Sequence, residues 1–292
     1  MNTILKMTVA TVVGNVAALA MVATSSDRAQ AQSINNGWNY QYDAVGDGSG
    51  GSQYDIKGMA MSVQGDKLFV ALTGGTPLSG VKHNGALNGT IGWGDLFFNF
   101  SGKNFNDAAA AGQLLGVRFA GSNDSKVGLG VYSGVKTTSV ALQNDGYKNL
   151  DQYYTTSGGK FNKQNTQGTA IATRDAANSY YGATSSIQNV ISTGNKVGDV
   201  NLLSAQNLSS LGLSFGGGAA NDNIFGFSFD RGALPGGSFM ANLFLECGND
   251  GVAFSGSSEA APEPTTMAGA ALGIAAIGGL KRARRRKSAA AN

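Results

Sequence analysis

The chain has 292 residues, 44 of them glycine, with one histidine, one cysteine and a formal charge of +3. That inventory excludes a two-histidine mechanism, a Cys/His zinc site and an internal disulfide framework. Four prolines and the lack of a three-residue glycine period exclude collagen.

Residues 1–31 read as a secretory signal peptide. Lys6 gives a basic start, an uncharged run extends from Met7 to Ser26, and Ala29-Gln30-Ala31 is a small-residue cleavage step that leaves Gln32 as the new N-terminus. The body, residues 32–258, follows. Between Gln32 and Pro264 there are 13 Lys/Arg against 17 Asp/Glu, so the positive formal charge belongs to the chain ends. A mildly acidic body without a Lys/Arg cluster argues against nucleic acid as a partner.

Trp38, Tyr40 and Tyr42 alternate and therefore share one face of a strand. Such a face either seals a core edge or stacks on sugar rings. Tyr153-Tyr154 and Tyr180-Tyr181 are further aromatics set in polar sequence. Asp43 and Asp47 lie in a Gly/Ser-rich turn, and Asp250 lies in Asn249-Asp250-Gly251. These oxygens suit either a structural calcium ion or ordinary turn chemistry. No other cofactor is expected.

Strand patterns recur along the body. Leu115, Val117 and Phe119 fall on one side of a period-two stretch, as do Phe225, Phe227 and Phe229. Phe239, Ala241, Leu243, Leu245 and Cys247 form another such face. Cys247 is therefore expected to be a buried thiol, and Glu246, on the opposite side, an outward rim residue within reach of Arg118 or Arg231. Helix candidates are few: Asn106 to Leu115, broken by Gly112, and Arg174 to Tyr181, ending at Gly182. Residues 143–173 read as irregular loops. The predicted fold is mainly β, a single β-sandwich or jelly-roll-like domain. His83 sits in a turn-like stretch, and the chain lacks both a G-x-S-x-G elbow and an H-E-x-x-H pair. No enzyme is expected; a hydrolase using paired carboxylates is the least favoured reading.

Residues 259–292 form a second address. Pro262-Glu263-Pro264 precedes an uncharged run from Thr265 to Leu280 and a basic tail from Lys281 to Lys287. The run would be a short transmembrane helix of about 24 Å, with the basic tail held on the cytoplasmic side. The tripeptide, the glycine-rich run and the Arg-rich end together resemble the PEP-CTERM sorting signal of bacterial exosortase substrates. That resemblance implies an inner-membrane intermediate and recognition at Pro262, Glu263 and Pro264. An exosortase then removes the tail, and the product goes to the cell surface or extracellular matrix. Three stretches of the body are also similar to a group of cyanobacterial exosortase-dependent surface proteins: Gly92-Trp93-Gly94-Asp95-Leu96-Phe97-Phe98-Asn99-Phe100, Gly116 to Ala120 with Asn123-Asp124-Ser125, and Glu246-Cys247-Gly248-Asn249-Asp250-Gly251. The match implies display and no reaction. The expected function is a structural or adhesive surface protein; the alternative is a carbohydrate-binding module, calcium-supported, with exopolysaccharide as partner.

Overall fold

The computed structural model describes residues 33–43, 48–49, 51–156, 170–215 and 222–259. The expected leader, its cleavage residues Ala29, Ala31 and Gln32, the sorting residues Pro262, Glu263 and Pro264, and Asp47 all lie outside them.

The chain first lays down four antiparallel strands: β1 (Ser33–Asn35), β2 (Trp38–Tyr42), β3 (Ile56–Gln64) and β4 (Lys67–Gly74). A two-stranded ribbon, β5 (Val81–Lys82) and β6 (Thr90–Ile91), leads to a second antiparallel run. This contains β7 (Leu96–Asn99), β8 (Leu114–Arg118), β9 (Gly130–Thr138) and β10 (Val190–Gly198). The chain then returns to complete both sheets. β11 (Asn201–Ser204) and β12 (Asn223–Asp230) join the first beside β4, and β13 (Ser238–Phe244) and β14 (Gly251–Ser257) join the second beside β7. Each six-stranded sheet is thus built from two separate parts of the sequence.

The expectation of a mainly β sandwich or jelly roll is corrected. The described residues form a mixed fold: three open antiparallel sheets and four α-helices. The physical reason is that both large sheets are apolar on their second face as well. On the first sheet, Trp38, Tyr40, Ala60 and Ala71 are buried with Leu208 of α4 (Ala205–Ser210), Leu213 and Phe215. On the second, Phe97, Leu114 and Ile191 are buried with Phe105 and Ala108 of α1 (Phe105–Ala110). Leu150 of α2 (Leu150–Thr156) and Ala177 of α3 (Arg174–Ala177) pack with Ile187 and Phe244. Strands buried on both faces need a covering layer, and short helices supply it. α2 also falls where irregular loops were expected, whereas α3 and the wider turn after it end at Gly182 as the sequence suggests. No helix among the described residues is long and apolar enough to cross a membrane. The expected span at 265–280 lies outside them, so a transmembrane helix is withdrawn from the description of this fold.

The main core is filled from both sheets by the residues whose alternation marks them. Phe225, Phe227 and Phe229 of β12 pair with Leu72, Val70 and Leu68 of β4, and all six are buried. Facing partners include Phe98, Val117, Leu243 and Phe254. The Phe227 ring stacks on Phe119 with centroids 4.7 Å apart. Phe227 is wholly buried, so Phe227→Ala should lower unfolding free energy by about 3–5 kcal/mol. Urea denaturation followed by near-ultraviolet circular dichroism checks this; a loss under about 1 kcal/mol would mean that the core is packed differently.

Candidate functional site

The three stretches that suggested a relationship to surface proteins converge at one end of the sheets, around three buried acids. Glu246 follows β13 in a tight turn, and its two oxygens accept the backbone N–H of Gly92 (2.8 Å) and of Asp124 (2.6 Å). These partners lie 154 and 122 positions away. Asp95 accepts from Asn123 Nδ2 (2.8 Å), Ser125 Oγ (2.7 Å) and the Ile191 N–H (2.6 Å). Asp250 accepts from Ile56 N–H (2.6 Å) and Gly251 N–H (2.7 Å), tying the β13–β14 turn to β3 of the other sheet. Asparagines extend the network: Asn144 donates to Asp124, and Asn189 donates to the Leu245 and Glu246 carbonyls while accepting from Val140 N–H. Arg118 gathers the loop after β8 by donating to Asn123 Oδ1 and to the Asn123 and Val127 carbonyls.

Glu246 is 0% exposed, so the expected rim position is corrected. Arg118 is committed to loop carbonyls rather than to Glu246. Gly94 is a glycine because of close approach: a Cβ there would run into the Asn189 and Phe244 carbonyls. Cys247 is buried, as its strand face suggested, and burial pushes its thiol up to about 12. His83 meets Asp145 at 3.0 Å in a turn, far from that thiol in the chain.

Burial raises Glu246 to about 7 and Asp95 to about 6, against the pull of their N–H and side-chain donors. Raised values in a cleft would suggest acid–base catalysis. Here both carboxyl groups are wholly buried and turned to backbone donors, so the arrangement is suited to clasping loops.

Beside this clasp lies a small, partly open cleft. Tyr153 and Tyr154 of α2, Tyr181 after α3, and Phe244 at the end of β13 line it. Asp43, Asp250 and Arg174 supply its charges. The rings pack in two pairs: Tyr153–Tyr154 centroids are 5.2 Å apart and Tyr181–Phe244 5.0 Å. Arg174 lies 4.8 Å over the Tyr154 ring and 3.4 Å from Asp151. Its helix is fixed by Thr173, whose hydroxyl accepts the Ala176 N–H. Tyr180 lies alongside, accepting from Asn99 Nδ2, and burial raises it to about 12.

The structure separates the sequence-predicted residues. Trp38 is 0% and Tyr40 2% exposed. The Trp38 indole donates to the Leu211 carbonyl, and the Tyr40 hydroxyl accepts from Ser214 N–H. Tyr42 is half-buried, its ring 6.4 Å from Phe215. Trp38 and Tyr40 pack beneath α4 and offer no open face to a sugar, and Tyr42 is covered in part by Phe215. Asp43 and Asp250 do come together on the cleft wall, but among the described residues no group of three or more His, Cys, Asp or Glu is placed to hold a metal ion. The cleft was missed because its tyrosines sit in polar sequence; paired Tyr-Tyr steps near helix signals were the available hint.

The raised carboxyls give a signed prediction. Between about pH 4.5 and 7 the folded chain holds a proton on Glu246 that the unfolded chain releases, so this group's contribution declines as pH rises through that window. The full effect of moving Glu246 from 4.5 to about 7 is of the order of 3 kcal/mol. Denaturation midpoints should therefore fall more from pH 5 to 7.5 in the wild type than in Glu246→Gln. Equal slopes would show that Glu246 titrates normally.

No family model, no curated protein and no solved structure matches this chain. The sorting-signal and surface-protein resemblances therefore gain no support from a relative.

Proposed function

We propose that this chain is an exported protein, held at the cell surface or in the extracellular matrix, where it has a structural or adhesive role. The observation that carries the reading is where the chain leaves the described fold. Asp250 and Gly251, at the start of β14, line the cleft, whereas Ser257 and Glu259 lie at its other end. Seven residues of strand span about 23 Å at 3.3 Å per residue. Gly37, just before β2, lines the same groove as Glu259. The C-terminal route therefore runs from the side away from the cleft, whereas the first described residue, Ser33, pairs with Tyr40 toward the Asp43 end of β2. A protein held through its C-terminal segment would present the cleft outward, which suits adhesion.

The reading also rests on the sequence of the ends: a small-residue step at Ala29-Gln30-Ala31, and Pro262-Glu263-Pro264 ahead of an apolar run and a basic tail. An exosortase-type enzyme is the proposed processing partner. Mass spectrometry of the native protein should show loss of residues 281–287 in a strain with the exosortase and retention in a deletion strain. Retention in both strains, or loss in both, contradicts exosortase processing.

A further inference from the structure

We infer that Asn84 is a self-modification site: the Gly85 backbone nitrogen displaces its side-chain amide, assisted by the His83–Asp145 pair that stands over that glycine. The chain has three Asn-Gly steps, at 36–37, 84–85 and 88–89. A glycine that follows asparagine leaves its backbone nitrogen unshielded by a side chain, yet the fold treats the three steps differently. Asn88 is locked, its Oδ1 accepting from Thr90 N–H and Oγ1 and its Nδ2 donating to the Ser122 carbonyl. Gly89 N–H is also taken, by the Ala86 carbonyl. Asn36-Gly37 fills the two-residue turn between β1 and β2, with φ of 50° and 78° and Asn35 paired to Trp38. Closing a ring there would rotate the peptide out of that turn and open the pairing.

Asn84-Gly85 has neither restraint. Both residues are exposed, in a turn closed by Ala86 N–H on the His83 carbonyl. Among the described residues, neither the Asn84 amide nor the Gly85 N–H has a hydrogen-bond partner. A base stands beside them. His83 Nε2 lies 3.0 Å from Asp145 Oδ2, and the imidazole rests against Gly85, where a Cβ would meet Nε2 at 3.2 Å. A histidine oriented by a carboxylate is suited to taking a proton, directly or through one water.

The Gly85 nitrogen bonds to Asn84 Cγ as its proton passes to the imidazole. The Cγ–Nδ2 bond then breaks, and the proton leaves with that nitrogen as ammonia. Water opens the resulting five-membered ring at either carbonyl, giving aspartate or isoaspartate at 84. Both products add a negative charge to the turn, and isoaspartate also lengthens the main chain just ahead of Ala86. Ala86 pairs with Asn144, which accepts Leu87 N–H and donates to Asp124 of the clasp. The modified turn therefore leans on the residues that hold the sheets together.

The test is to age the purified full chain at neutral pH and map each asparagine by fragment-resolved mass spectrometry, folded and in urea. In the folded protein Asn84 should lose its amide about fivefold or more faster than Asn36 and Asn88, because only its reacting groups are free to meet. Aspartate and isoaspartate should both appear. In urea the three rates should converge to within about threefold, since the local Asn-Gly chemistry is then shared. His83→Gln should slow the folded reaction at Asn84 by about threefold or more. The inference is overturned if folded Asn84 keeps its amide as long as Asn88, if Asn36 reacts faster, or if the product is aspartate alone. A folded His83→Gln protein reacting at the wild-type rate also overturns it; the comparison of folded and urea-treated wild type decides the matter should that variant fail to fold.

Discussion

The structure depends on buried carboxylates that hold backbone N–H groups from distant parts of the chain. Turns that run into a core carry donors which water can no longer satisfy, and leaving one unpaired costs about 1–3 kcal/mol. Glu246, Asp95 and Asp250 answer this with oxygens rather than with more strand. Their bonds join the turn after β13 to the loops before β7 and after β8, to β10 and to β3. Because each six-stranded sheet is assembled from two parts of the sequence, these ties also fix how the returning strands meet the first-built ones. The cost is desolvation of the acids, visible in the raised Glu246 and Asp95 values.

The same clasp accounts for the position of the cleft. Asp250 serves the clasp through its N–H partners and the cleft through its place on the wall. Phe244, the last residue of β13, packs against Tyr181 at the point where Gly94 N–H bonds its carbonyl. Further along β14, Gln41 of β2 donates its side-chain amide to the Ser255 carbonyl, stitching β2 of one sheet to the edge strand β14 of the other. One end of the strands is thus stiffened and shaped around a cleft, while the other carries the C-terminal segment away.

The sheet interiors were legible in the sequence because their signal is local. Period-two alternation identified Phe225, Phe227 and Phe229, the Phe239-to-Cys247 face and Leu115, Val117 and Phe119 as inward, and all are buried in the main core. Of the covering helices, α1 and α3 fall on the two helix candidates of the sequence, whereas α2 and α4, seven and six residues long, are too short for a helical period to stand out among glycines. Glu246 was misplaced for a different reason. Alternation put it opposite Cys247, and so outward, but its surroundings are set by Gly92 and Asp124 from far along the chain. Trp38 and Tyr40 show the same limit: their strand face was read correctly, but Leu208, Leu213 and Phe215, which cover it, come some 170 positions later. Local pattern finds a face; only the assembled fold decides what covers it.

Residue-resolved hydrogen exchange of the backbone amides of Gly92, Asp124, Ile56 and Ile191 tests the carboxylate clasp most directly. These N–H groups lie in or beside loops and turns, where exchange is ordinarily fast, yet we expect protection comparable to that of the central strands β4 and β12. In Glu246→Gln, protection should fall at Gly92 and Asp124 well before it falls in those strands. Rapid exchange at all four amides in the wild-type protein would contradict a fold held together by buried acids gripping distant backbone.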